Sequence, residues 1–220
     1  MNILSIDSSS YLLSVALKIN DTIFIENNDQ NTKASQIILS TIDNILKKHK
    51  LNIEDLNAVV FNKGPASFTG TRISASISQA IGYSHNIPAI GIPSLSLMAY
   101  EYYKISGHPN ILCIKKAYSE NVYWGEFNIS KNEYNPMSEI LLSDFSKITF
   151  NKETDLHLVS DCWDTYKTKT NVLIDNHLSH IDLKNNPDAK LIIDYALKFC
   201  DFSKSFDLKE TFPDYANHEL

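Results

Sequence analysis

Residues 56–84 constrain this chain more than any other stretch. Ala58–Phe61 is a short apolar run with Val59 and Val60 at its centre, the pattern of a buried strand. Gly64-Pro65 breaks that run. Ser67 or Thr69 then offers a side-chain oxygen to the orphan amides of a first helical turn. From Arg72 to Ser84, Ile73, Ile77 and Ile81 recur every four residues and line one helical face. Ser74, Ala75, Ser76, Ser78, Ala80 and Gly82 between them are small, so another backbone can come close. The unit is a strand, a tight glycine-rich turn and a helix with a close-packing flank. Two readings of the turn stand. A glycine-rich turn that opens a helix can cradle an anion on its amides. It can also be a rigid strand-to-helix corner. The spacing from Gly64 to Gly70 is not that of a P-loop, and no Gly-Lys-Ser/Thr follows, which favours the corner.

The flanking sequence has the same grain. Asn2–Asp7, Tyr11–Ile19 (with Leu13, Val15 and Leu17 alternating) and Thr22–Glu26 are expected to form an antiparallel meander. Over Ala34–Lys48, Ile37, Ile38, Leu39, Ile42, Ile45 and Leu46 cover an arc of roughly 200°, where a surface helix needs a stripe of only about 100°. This helix is therefore expected to bury two sides, one against its own sheet and one against a partner or another part of its own domain. Ile87–Ile92 is a short strand, and Ser94 is expected to cap a helix over Leu95–Tyr103. Gly107-His108-Pro109 marks a boundary between domains at 1–107 and 108–220, with the C-terminal segment packing back on the first. In the second half, strands are expected over Asn110–Lys115, Asn121–Ile129, Pro136–Leu141, Leu156–Val159 and Val172–Ile174. A weak helix is expected over Ser143–Thr149 and a clear one over Ala189–Phe199.

Composition excludes several classes. Of 220 residues 43% are hydrophobic and 21% charged, which is ordinary for a globular chain. No run approaches the roughly 20 apolar residues of a membrane helix, and Asp7 interrupts the apolar N-terminus, so neither a membrane span nor a signal peptide is expected. Cys113, Cys162 and Cys200 lie too far apart for a zinc pair and are odd in number, so a reducing cytoplasm is expected. A net charge of −6 argues against a chain that grips nucleic acid by itself. His177 and His180, flanked by Asp175 and Asp182, form a lone His-x-x-His in a polar stretch, and a solvated loop is the expected reading. No nucleophile elbow, zincin motif, CxxC pair or dinucleotide fingerprint occurs, so no catalytic residue and no metal ligand is assigned. Arg72, in the first turn of the central helix, suits either a bound anion or an ion pair that holds the corner.

Residues 64–73, Gly-Pro-Ala-Ser-Phe-Thr-Gly-Thr-Arg-Ile, resemble the signature Gly-Pro-Gly-Ser-Phe-Thr-Gly-Leu-Arg-Ile of the TsaB (YeaZ) family. Ala66 replaces a glycine and Thr71 a leucine. The resemblance is good over residues 1–105 and thin afterwards. Ile114-Lys115-Lys116-Ala117 stands where relatives carry Ile-Asp-Ala-Arg, and Pro213-Asp214-Tyr215 lacks the arginine that usually follows. Ala34 occupies the place of a histidine that TsaD-type subunits use, with a second, as a metal ligand. The resemblance implies an α/β, ribonuclease-H-like (actin-like) fold, a mixed sheet flanked by helices with a second, degenerate α/β subdomain. Asp7, Ser8 and Ser9 then occupy the place of a vestigial nucleotide hairpin, although polar side chains bonding their own turn are the favoured reading, since no glycine lets the backbone close on a phosphate.

The resemblance also implies a non-catalytic scaffold for a TsaD-like subunit, which carries out the threonylcarbamoyl transfer to tRNA, with a TsaE-like ATPase completing the assembly. This chain is then expected to bind no cofactor, ATP being used by the complex, to meet tRNA only indirectly, and to pair with itself when its partner is absent. Ile38, Ile42, Ile45, Ile73 and Ile77, with Ser74, Ser78 and Gly82, are expected at the partner interface, beside the signature turn Gly64, Pro65, Ser67, Gly70 and Arg72. Two other functions compete. One is an ATP-binding, actin-like phosphotransferase using Asp7 and the Gly64–Gly70 turn. The other is a metallopeptidase, which needs a metal or nucleophile the sequence does not offer.

Overall fold

The computed structural model describes residues 1–10, 12–28, 33–130, 134–136, 139–149, 155–166, 179–182, 188–214 and 217–218. The chain divides into two compact units, Met1–Ser94 with Pro187–Asp214, and Leu95–Asn186 with Tyr215–Leu220. The boundary expected at residue 107 lies just past the end of a helix in the second unit.

The first unit opens on the expected meander. Strands β1 (Asn2–Asp7), β2 (Ser14–Ile19) and β3 (Thr22–Asn27) pair antiparallel. Helix α1 (Ala34–Lys48) follows, then β4 (Ala58–Gly64), α2 (Phe68–His85) and β5 (Ala89–Pro93). Strand β4 runs parallel to both β1 and β5, so the sheet order is β3-β2-β1-β4-β5.

Helix α3 (Ser94–Ser106) leads into the second unit. There β6 (Asn110–Lys116) and β7 (Asn121–Ile129) form a long antiparallel pair. Short strands β8 (Tyr134–Pro136) and β9 (Leu141–Asp144) lie against β7. Strand β10 (His157–Ser160) runs parallel to β6, the one-turn helix α4 (Trp163–Tyr166) follows, and β11 (Ser179–Asp182) runs parallel to β10. The path β9-β7-β6-β10-β11 repeats the order and directions of β3-β2-β1-β4-β5. The second unit is thus a degenerate copy of the first. Two expectations change here. Of the strand expected over Pro136–Leu141, Pro136 ends β8 and Leu141 opens β9, while residues 137–138 lie outside the described residues. The helix expected over Ser143–Thr149 is a single 3-10 turn, Phe145–Lys147, because Phe145 and Ile148 anchor only one turn's spacing in the core. The strand expected at Val172–Ile174 lies outside the described residues.

The chain then returns to the first unit as α5 (Ala189–Phe199), which packs across β1, β2 and β4, before β12 (Asn217–His218) pairs with β9 in the second. The first unit's sheet is covered on both faces. Leu4, Ile6, Val59 and Phe61 point into one cluster with α1 and α2. Ile3, Ala58 and Val60 alternate to the opposite face and are fully buried. None of the buried α5 side chains joins the α1–α2 cluster, so α5 covers that opposite face. Double coverage explains why β4 is apolar without alternation. Among the described residues no helix is long and apolar enough to cross a membrane.

Candidate functional site

The signature turn sits at the carboxyl end of β4, bonded to the turn that follows β1. Gly64 has φ +93°, a conformation that side chains with a Cβ rarely adopt, and a cis peptide joins it to Pro65. Ser67 is the N-cap of α2, its hydroxyl accepting from the Gly70 amide at 3.4 Å. The Ser67 amide donates to the Ser9 carbonyl at 3.0 Å, and the Thr71 amide to the Ser67 carbonyl at 2.9 Å. Ser8 crosses the other way. Its hydroxyl donates to the Gly70 carbonyl at 2.7 Å, and its amide donates to Ser74 Oγ at 3.2 Å. The two backbones touch at Gly70, where a Cβ would lie 1.7 Å from the Ser8 carbonyl oxygen. These bonds use the turn's amides internally and support the rigid corner over the anion cradle.

The first hairpin spends its polar groups the same way. Asp7 Oδ1 accepts from the Ser9 amide at 2.9 Å and from the Ser9 hydroxyl at 2.5 Å. Ser9 Oγ in turn accepts from Asn62 Nδ2 at 3.0 Å. Asn62 Oδ1 accepts from the Gly64 amide at 3.0 Å and from the Ser94 hydroxyl at 2.7 Å. Ser94, expected as the cap of this helix, is the first residue of α3, and its hydroxyl is tied to this network. Sequence reasoning missed Asn62. Its signal was a lone amide at the end of an apolar strand, two residues before a glycine.

Helix α2 keeps one stripe outward beyond this block. Phe68 is 61% exposed, and the Arg72 guanidinium carbon lies 3.5 Å from its ring centroid. Phe68, Thr69, Arg72, Ile73, Ser76 and Ile77 line an open depression of about 390 Å³. Leu39 on α1 and Tyr83 on α2 are also exposed.

The family model described as "TsaD: tRNA N6-adenosine threonylcarbamoyltransferase" matches residues 29–172. The chain is 28% identical over 215 residues to the tRNA threonylcarbamoyladenosine biosynthesis protein TsaB of Buchnera aphidicola (from Acyrthosiphon pisum), covering 94% of both. It is 32% identical over 132 residues to the protein of that name from Escherichia coli, covering 60% of this chain and 57% of that one. The chain belongs to the TsaB (YeaZ) branch of this family. In fold it is similar to YeaZ from Pseudomonas aeruginosa, with a TM-score of 0.79 and 18% identity over 97% of this chain and 99% of that one.

In this TsaB-family chain the expected interface residues separate into two groups. Ile38, Ile42 and Ile45 are 2%, 3% and 0% exposed and belong to the first unit's core, so they do not form a free face. Apart from the exposed Leu39, the wide apolar arc of α1 is absorbed by its own sheet, by α2 and by the segment around Leu51, Ile53 and Leu56. The small flank of α2 also faces inward. Ser74 and Ser78 are fully buried, and a Cβ on Gly82 would lie 2.7 Å from the Phe206 ring. Ile73 and Ile77 are half-buried, each packed on the core at one side and lining the depression at the other. Sequence named Phe68 within the signature, Thr69 as a cap candidate and Ser76 in the small flank, but placed none of them at the interface, because a stripe of one aromatic and small polar residues has no apolar period. His177 and Asp175 lie outside the described residues, as do the side chains of His180 and Asp182.

Proposed function

We propose that this chain is the non-catalytic subunit that a TsaD-type transferase needs to make threonylcarbamoyladenosine on tRNA. The observation that carries the reading is the outward stripe of α2, from Phe68 to Ile77, beginning inside the signature turn. A surface-helix stripe of aromatic, aliphatic and arginine side chains has the make-up of an interface core. The partner docked there is the TsaD-type subunit, which carries out the transfer. A second copy of this chain takes its place when that subunit is absent. A TsaE-type ATPase uses ATP in the complex, tRNA meets this chain indirectly, and the assembly works in the cytoplasm. The internal bonding of Asp7, Ser8 and Ser9 supports a chain that uses its old nucleotide hairpin as a structural joint.

The test is co-purification with the cognate TsaD-type subunit, followed by a tRNA modification assay with and without this chain. Ser76 is exposed and sits in the middle of the depression, so Ser76→Arg fills the docking surface without entering the core. Ser76→Arg is expected to weaken co-purification by at least about tenfold, the cost of a hot-spot loss of 1.4 kcal/mol or more, with an unchanged melting temperature. Full modification without this chain, or undiminished co-purification of Ser76→Arg, overturns the reading.

A further inference from the structure

The amino ends of β6 and β10 carry a cluster that this function does not use. His108 sits between Gly107, which ends α3 at φ +72°, and Pro109, which leads into β6. His157 opens β10, the parallel neighbour of β6, and pairs with Ile111. Asp155 precedes it by two residues. The two imidazoles stack with centroids 3.4 Å apart and planes 16° from parallel. One ligand atom each from His108, Asp155 and His157 lies within 4.8 Å of the others.

Oxygen atoms orient both rings. His108 Nδ1 lies 3.2 Å from the Asn110 carbonyl oxygen, which can only accept, so Nδ1 carries a proton and Nε2 is the nitrogen turned to other groups. That Nε2 lies 3.3 Å from Asp155 Oδ2, an acceptor. Two acceptors so placed repel unless a proton or a cation lies between them. His157 Nδ1 bonds the Tyr102 hydroxyl, leaving Nε2 as its outward nitrogen. Metal-binding histidines are commonly held this way, with the second ring nitrogen donating to an oxygen. The end of α3 ties the His108 backbone to that of Tyr102, because the His108 amide donates to Ser106 Oγ at 3.0 Å and the Ser106 hydroxyl to the Tyr102 carbonyl at 2.9 Å.

We propose that His108, Asp155 and His157 bind one divalent transition ion, zinc by preference, which staples the amino end of β6 to that of β10. Two imidazoles and a carboxylate suit zinc, with water completing four-coordination. Bonds of 2.0–2.1 Å give a tetrahedron with an edge of about 3.3–3.4 Å, and the His108–Asp155 separation already has that length. A proton would satisfy that one edge, whereas an ion can engage all three groups once the stacked rings turn about their Cβ–Cγ bonds so that their in-plane lone pairs converge. The position decides the role. Ligands of open α/β sheets sit at the carboxyl ends of strands, so an ion at the amino ends acts as a structural clip.

The test is zinc titration of the full chain, stripped with chelator, by calorimetry and thermal melting, with cobalt as the visible-absorption probe of four-coordination. One ion per chain and a raised melting temperature are expected. The Asp155 side chain is 75% exposed, so Asp155→Asn leaves the fold intact. Asp155→Asn and His157→Gln are each expected to weaken binding more than about tenfold, and Tyr102→Phe by roughly 10–100-fold through loss of ring orientation. The double variant His177→Gln, His180→Gln is expected to bind as the unaltered chain does. Failure to bind zinc, binding that survives both Asp155→Asn and His157→Gln, or binding lost only in the 177/180 variant overturns the proposal.

Discussion

Gly70 is the residue at which the first unit's two turns meet. Its missing Cβ leaves room for the Ser8 carbonyl, and the colliding atoms are backbone that cannot swing aside. Overpacking usually costs about 1–3 kcal/mol, and Gly70→Ala is expected at the top of that range, read as a lowered urea midpoint. A midpoint equal to that of the unaltered chain would show that hairpin and turn part easily, against the corner reading. Cys200 offers a second test at this scale. Burial, helped by the nearby Glu210 carboxylate, pushes its thiol up to about 11. A group raised by folding stabilises the fold below its unfolded value and loses that stabilisation as pH climbs through its folded value. Stability is therefore expected to fall between about pH 9 and 11, by about 2–3 kcal/mol for a shift of this size. Cys200→Ser should flatten the curve in that window, measured by urea melts at stepped pH. An equally steep fall in the variant would assign the loss to the other thiols that burial raises, Cys113 and Cys162.

Helix α1 shows how an element can be legible while its role is not. The period of four placed α1, and likewise α5, at the boundaries the structure has, because long amphipathic stretches leave little choice. The sequence also gave α1 an arc too wide for one surface, but nothing local says what covers the second side. The structure covers all of it but Leu39 from within, with Leu51, Ile53 and Leu56 from the segment after the helix. Ile42→Asp therefore tests the fold and not docking. A charge at a 3%-exposed core position with no partner should cost about 3–5 kcal/mol, seen as a lost or greatly lowered melting transition before any binding assay. A stable Ile42→Asp chain that fails only to co-purify would return the outer face of α1 to the interface. The polar joint was less legible for a different reason. Ser8 meets Ser74 across 66 residues, and Asn62 meets Ser9 across 53. Hydrogen bonds of such span leave no period in a sequence.

At the scale of the whole chain, the first unit is assembled from segments far apart in sequence. Helix α5 packs across β1, β2 and β4, and Leu191, Ile192 and Ile193 on it are buried. The chain beyond it adds further ties, the Thr211 carbonyl accepting from Gln79 Nε2 at 3.3 Å and the Asp214 amide donating to the Lys63 carbonyl at 2.8 Å. At about 1.5–3 kcal/mol for each buried aliphatic side chain, the three alone supply about 5–9 kcal/mol. That is comparable with the entire net stability of a domain, about 5–15 kcal/mol. A fragment ending at residue 107 keeps every strand of the first sheet yet loses this cover. It is expected to show strand-like circular dichroism at most, without a cooperative melt, and to bind a hydrophobic dye. Adding residues 187–214 as a separate peptide should restore the cooperative transition, since the missing piece is a face and not a strand. If fragment 1–107 melts alone as sharply as the full chain, α5 is dispensable and the first unit ends where the Gly107-His108-Pro109 break puts it.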